Sequence, residues 1–147
     1  MAAQSESALI SHYFSPQLHQ SKAPFSHFVQ HGDIGYTAGI IGQDPSTGEL
    51  VSDDVTEQCT AMFDNLQTLL DEVGSGLSDI LRTTVYLTDY QDFEAINTGY
   101  AKRIPAPFPA RTTLQVAALP LGAKVQIDAT VAVDTGTRDG EVQRLLR

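Results

Sequence analysis

FPARTTLQVAALPLGAKVQIDATVAV, residues 108–133, reads as two strands joined by a short turn, with one arginine, Arg111, standing among threonine, alanine and apolar residues. Strand side chains alternate between faces, so the second half divides cleanly. Val125, Ile127, Ala129, Val131 and Val133 form an apolar row suited to lie under helices, opposite Lys124, Gln126, Asp128 and Thr130. In the first half the more apolar row is Ala110, Thr112, Leu114 and Val116, which leaves Arg111, Thr113 and Gln115 on the second face. Paired as a hairpin, the two strands would set Arg111 beside Gln126 and Asp128. A partly desolvated guanidinium is a planar fork matched to a carboxylate, and a neighbouring carboxylate or amide can position water. The same arrangement equally describes a structural ion pair between Arg111 and Asp128, and residue pattern alone leaves both readings open.

Upstream, Asp54 followed by Glu57 resembles a capping box. Cys59, Met62, Phe63, Leu66, Leu69, Leu70 and Val73 then recur at helical spacing, and Gly74 supplies a stop. Cys59 belongs to that apolar stripe and reads as packing. ILRTTVYLTD (80–89) has strand chemistry, with Leu81, Thr83, Val85 and Leu87 on one side. A second helix begins near Tyr90, carries Phe93, Ile96, Asn97, Tyr100 and Ile104 inward, and ends at the prolines of 105–109. Towards the N-terminus, FSHFVQHGDIGYTAGIIG (25–42) reads as a hairpin turning near His31-Gly32-Asp33, DPSTGE (44–49) as a turn, and Ile10–Phe14 as a short strand. Two helices cannot cover both faces of such a sheet. The expected class is therefore α+β, a mixed sheet with two helices on one face. The other face is semi-polar rather than coated with charge, which predicts packing against further subunits.

Composition narrows the partners. A length of 147 residues fits one domain, and 41% hydrophobic with 18% charged residues is a globular balance. A net charge of −9 argues against nucleic acid or an anionic membrane surface as a general partner. One cysteine leaves no internal disulfide and no cysteine-rich metal site. The opening MAAQSESALISHYFSPQ has neither a basic nor an apolar signal region, and no run reaches membrane-spanning length, so the expectation is a cytoplasmic protein.

Three stretches carry a resemblance: GYTAGIIGQDPSTGELV, EQCTAMFDNLQTLLDEVGSGLSDILRTTVYLTDYQDFEAINTGYAKRI, and the one quoted first. Together they resemble the reactive intermediate deaminase (Rid, YjgF-like) family over about residues 25–134, which frames an N-terminal segment (1–22), a domain (23–134) and a C-terminal tail (135–147) that would end in a short helix. The resemblance implies a chorismate-mutase-like fold, a homotrimer with ligand sites in clefts between subunits, hydrolysis of enamines and imines such as 2-aminoacrylate, and no metal or organic cofactor. Ribonuclease activity has also been attributed to relatives, and the acidic balance makes it the least favoured reading.

Carried over residue by residue, the carboxylate-gripping arginine falls on Arg111, a substrate-holding backbone position on Thr113, the aromatic residue of the first hairpin on Phe28, and a Ser-Gly-Gln segment on Ala38, Gly39 and Ile40. The largest departure is Gln126, which stands where the family pattern places the water-activating glutamate, with Asp128 in the second acidic place. An amide can orient water but cannot take its proton. Asp128 and His27 are then the acid–base candidates, His27 because imidazole titrates near neutral pH; the plain alternative for His27 and His31 is a hairpin surface. A subgroup of the resembled family deaminates 2-aminomuconate, a larger dicarboxylic enamine from aromatic ring-cleavage pathways. A neutral, less polar pocket with an arginine suits such a longer conjugated acid, so the resemblance implies 2-aminomuconate as the expected substrate. Small 2-aminoacrylate and a non-catalytic carboxylate-binding trimer are the alternatives.

Overall fold

In the computed structural model, which describes residues 9–134, Asp54 opens the first helix, α1 (Val55–Glu72). Its carboxylate accepts from the Glu57 N–H at 2.9 Å, satisfying one of the donors that every helix start leaves without an internal partner. Cys59, Met62, Phe63, Leu66, Leu69 and Leu70 line one side and are buried. Gly74 turns the chain with φ +78°. The N–H groups of Gly74 and Ser75 return to the carbonyls of Asp71 (3.3 Å) and Leu70 (2.9 Å), a closure that favours a residue able to enter the left-handed region. The second helix, α2 (Phe93–Arg103), follows a single 3-10 turn at Tyr90–Asp92. It stops where Ile104 turns extended (φ −90°, ψ 119°) ahead of Pro105.

The sheet comprises β1 (Ile10–Tyr13), β2 (Phe28–His31), β3 (Ile34–Thr37), β4 (Ile80–Leu87), β5 (Ala110–Gln115) and β6 (Val125–Ala132), in the spatial order β1-β2-β3-β6-β4-β5. Only β4 and β5 run parallel, so the sheet is mixed. β2 and β3 turn over Gly32 and Asp33, with Gly32 at φ +65°. One core joins the inner sides of both helices to a single row of the sheet: Val125, Ile127, Ala129 and Val131 from β6, Val85 and Leu87 from β4. The α+β class with two helices on one face is thus the observed one. Residues 135–147, including the expected C-terminal helix, lie outside the described residues.

Two expectations for residues 108–133 are corrected. β5 and β6 do not form a hairpin, because β4 lies between them. β4, α2 and β5 form a parallel crossover, which docks β5 on the side of β4 away from β6. The connection from β5 to β6 is residues 116–124, with a 3-10 turn at Pro120–Gly122. The faces of β5 are also exchanged. Arg111 is in register with Thr83, which is buried and shares a 2.8 Å hydrogen bond with Tyr100 OH on α2. Arg111, Thr113 and Gln115 therefore face the helices. Thr112 and Leu114 face away, and Arg82 donates to Thr112 Oγ1 there. Counting apolar residues misassigns this strand because α2 offers it the aromatic rings of Tyr100 and Phe93, on which a guanidinium packs as well as a hydrocarbon does.

Replacing Asp54 with alanine removes the α1 cap and should cost about 1 kcal/mol of stability, read as a lowered urea midpoint at unchanged slope. A cost near zero would mean that Ser52 or water takes over the exposed N–H groups.

Candidate active site

Arg111 lies between edge strand and helix. Its Cζ is 4.6 Å from the Tyr100 ring centroid and 5.8 Å from that of Phe93. Nε donates to Thr113 Oγ1 at 2.9 Å, which fixes the plane of the fork. Nη2 is buried and has no hydrogen-bond partner among the described residues. Burial disfavours the cation and lowers its pKa, while Tyr100, Cys59 and Tyr90 act in the other direction. A desolvated guanidinium edge with nothing to donate to is costly unless an anion completes it. Close by in the chain, Tyr90 OH donates to the Thr113 carbonyl (3.1 Å) and Tyr90 N–H to Gln115 Oε1 (2.9 Å), tying the turn before α2 to β5. Cys59, beneath, is no nucleophile: burial pushes its thiol up to about 11 despite the pull of Arg111 and Arg103.

On the other side of the molecule a cavity of about 640 Å³ brings together His27, Gly39, Ile40 and Gln126. Gly39 lets the Gln126 amide approach closely: a Cβ at that position would stand 2.7 Å from Gln126 Nε2 and would push the amide aside. The amide of Gln126 thus lies directly across the β3–α1 connection. His27 is buried, stacked on Phe14 with ring centroids 4.1 Å apart and edge-on to Phe25 at 5.5 Å. Its Nδ1 accepts the Ser15 N–H at 2.8 Å, so the neutral ring carries its proton on Nε2. Burial lowers the His27 pKa, with Glu72 acting weakly against it. His27 is therefore a neutral N–H donor near pH 7, a different instrument from the freely titrating surface imidazole of a hairpin.

The remaining expected residues are placed as follows. Asp128 shares a sheet face with Gln126, and its Oδ2 accepts from Tyr86 OH at 2.7 Å, a bond that raises the Tyr86 pKa. Arg111 and Thr113 lie on the opposite face of the sheet, so one chain does not bring Arg111 together with Gln126 or Asp128. Phe28 is not at the cavity: it heads β2 inside the core, with its ring against Gly35, where a Cβ would approach to 2.1 Å. The aromatic side chain that lines the cavity is Phe25, three residues earlier. Sequence reasoning also passed over Asn97, whose Oδ1 is the other buried side-chain atom without a partner among the described residues. The signal was present, an amide set into the apolar inner stripe of α2.

The family model described as Endoribonuclease L-PSP matches residues 16–133. The chain belongs to this family. Among its relatives, the chloroplastic Reactive Intermediate Deaminase A of Arabidopsis thaliana is 40% identical over 105 residues, 71% of this chain and 56% of that one. The chain thus spans little more than half of the plant protein's length. The human 2-iminobutanoate/2-iminopropanoate deaminase is 39% identical over 106 residues, covering 72% of this chain and 77% of the relative. Among solved structures, Escherichia coli TdcF with bound serine superposes with a TM-score of 0.77 at 30% identity, over 83% of this chain and 98% of that one. The resemblance read from the sequence is therefore correct at the level of the family.

The Ser15–His27 contact predicts a pH dependence. A histidine whose folded pKa is lowered leaves the native state binding fewer protons than the unfolded chain. Stability is then complete above the ordinary histidine value of 6.5 and declines as pH falls through it. The thermal midpoint should drop between pH 8 and 5.5. His27→Asn, whose Oδ1 can still accept from Ser15, should flatten that slope; an equal slope in the variant would assign the titration to another group.

Proposed function

We propose that the protein is a cofactor-independent deaminase of enamine and imine carboxylic acids. Protonation of an enamine at carbon gives an iminium, loss of a proton from its nitrogen gives the imine, and water replaces that nitrogen: R–C(=NH)–COO⁻ + H₂O → R–CO–COO⁻ + NH₃. The observation that carries this reading is the buried, partnerless Nη2 of Arg111, oriented by Thr113 and suited to one carboxylate edge. The human relative's name gives imine deamination to that protein, and TdcF has been solved with the small amino acid serine bound; both support carrying the class of chemistry to this chain.

The side chains of Arg111 and Gln126 lie on opposite faces of the sheet, so the site we propose forms between subunits of a homotrimer, the Arg111 rim of one chain closing the cavity of the next. Support comes from the face of the sheet without helices, where Tyr36 and Leu114 are 49% and 42% exposed among Arg82, Thr84, Thr112 and Thr130. In this assembly Arg111 grips the carboxylate, Gln126 orients water, the His27 Nε2–H donates to the departing nitrogen or its water, and Asp128 is the carboxylate held ready on the Gln126 face by Tyr86. Asn97 Oδ1 adds an acceptor on α2, the helix against which Arg111 packs. An amide suffices at position 126 because the imine, once protonated, is electrophilic enough for weakly assisted water. RNA cleavage, which the family model's name suggests, has no support in a chain of net charge −9.

Of the substrates expected from the sequence, 2-aminomuconate is supported by the neutral Gln126 in the cavity wall. Its distal carboxylate, however, meets no lysine or arginine among the described lining residues.

Arg111→Ala should leave the trimer intact by sedimentation equilibrium while kcat/KM for ammonia release falls about a hundredfold, the scale of roughly 2–4 kcal/mol expected of a partly buried arginine–carboxylate contact. A variant that dissociates but keeps its activity would make Arg111 structural. A wild-type protein that binds 2-oxo acids without releasing ammonia above the uncatalysed rate would be a carboxylate-binding trimer instead.

A further inference from the structure

The turn between β5 and β6 holds Leu121 at φ 60°, ψ 15°, the one non-glycine residue with positive φ among those described. There the Cβ of an L-residue crowds the backbone, and glycine or asparagine is the relaxed choice. Gly122, next in line, takes φ +75° without that cost. Leu121 gains nothing in the core for the strain, since its side chain is 59% exposed. It does line the cavity of Gln126 and His27. A strained backbone that delivers an exposed apolar side chain to a cavity wall is a feature of a binding site rather than of packing.

The wall around it is apolar on the side of Leu121, with His19, Ser21, His27, Gln43, Asn65 and Gln126 supplying neutral polar groups elsewhere. Phe25, Ile40 and Leu121 are apolar, Phe25 being 43% exposed like a side chain held ready for contact. No aspartate, glutamate, lysine or arginine is among the described lining residues. Two of the cavity's polar side chains are already engaged: Asn65 Nδ2 donates to the carbonyls of Ile41 (3.1 Å) and Gln43 (2.9 Å), and Gln43 Nε2 to that of Gly48 (2.7 Å). Burial of a second charge there would lack a fixed counterion, whereas hydrocarbon would exchange water for apolar surface on several sides.

We infer that Leu121, with Phe25 and Ile40, is the specificity determinant of the cavity, and that the substrate is a 2-imino acid bearing an uncharged branched or aromatic hydrocarbon side chain. The inference rests on the deaminase reading and names its substrate class.

The test generates imines in situ with an amino-acid oxidase from alanine, leucine and phenylalanine, adds 2-aminomuconate, and compares kcat/KM for wild-type protein and Leu121→Gly. The wild type should prefer the leucine and phenylalanine imines over both others. Leu121→Gly, which relaxes the backbone while deleting the side chain, should lower the ratio of leucine-imine to alanine-imine turnover by tenfold or more with no fall in thermal midpoint. Phe25→Ala, at an exposed position, should shift the ratio the same way. A preference for 2-aminomuconate or for the alanine imine, or a ratio unchanged in both variants, overturns the specificity inference while the deaminase reading stands. Hydrolysis of no imine above the buffer rate overturns both.

Discussion

A guanidinium laid on a tyrosine ring organises the edge of this molecule. Arg111 on β5 covers Tyr100 on α2, and Tyr100 in turn shares its hydroxyl with Thr83 on β4. Those three residues come from the three elements of the parallel crossover, so the contact fixes how the helix sits over the strands it connects. A cation–π contact of a partly desolvated arginine contributes about 1–2 kcal/mol, and it keeps Nη2 in a place where bulk water does not reach it. Structure and chemistry meet in this one side chain: the ring that holds it also leaves Nη2 needing an anion.

That contact also marks where sequence stopped being a sufficient guide. α1 was legible because its cap, its apolar side and its terminal glycine are all local signals, and each appears where the pattern placed it. β6 was legible because it is flanked on both sides and its alternation of Val, Ile, Ala and Val with Gln, Asp and Thr has a single solution. β5 was not. It is an edge strand of weak alternation, Ala-Arg-Thr-Thr-Leu-Gln, and its facing is set by a partner in α2 that no local count weighs. The assumption that consecutive strands pair then failed too, because the crossover places β5 beyond β4.

The candidate site shows the same division. Arg111 and Gln126 could be singled out from strand pattern, Gly39, Ile40 and His27 only through the family resemblance, and all of these except Arg111 line one cavity. What could not be read was which of them share a face. Phe28 was chosen for its aromatic ring, yet the strand's first inward position is a core position, and Phe25 before the strand is the ring that reaches the cavity. Asn97 was visible as a polar break in an apolar stripe, but only its unsatisfied oxygen gives that break a meaning.

The two helices sit close for a reason that bears on the arginine. A Cβ at Gly99 would stand 2.8 Å from Cys59 Sγ, so the pairing of glycine on α2 with a small thiol on α1 draws the helices together near the Tyr100 ring. A larger residue at either position would push α2 outward and lift Tyr100 from beneath Arg111. The thiol is retained protonated by its burial, which means that the layer under the guanidinium is neutral. A carboxylate there would have satisfied Nη2 from within the chain and left nothing for a substrate to complete. The packing of α1 against α2 thus preserves the unmet hydrogen-bonding capacity on which binding depends.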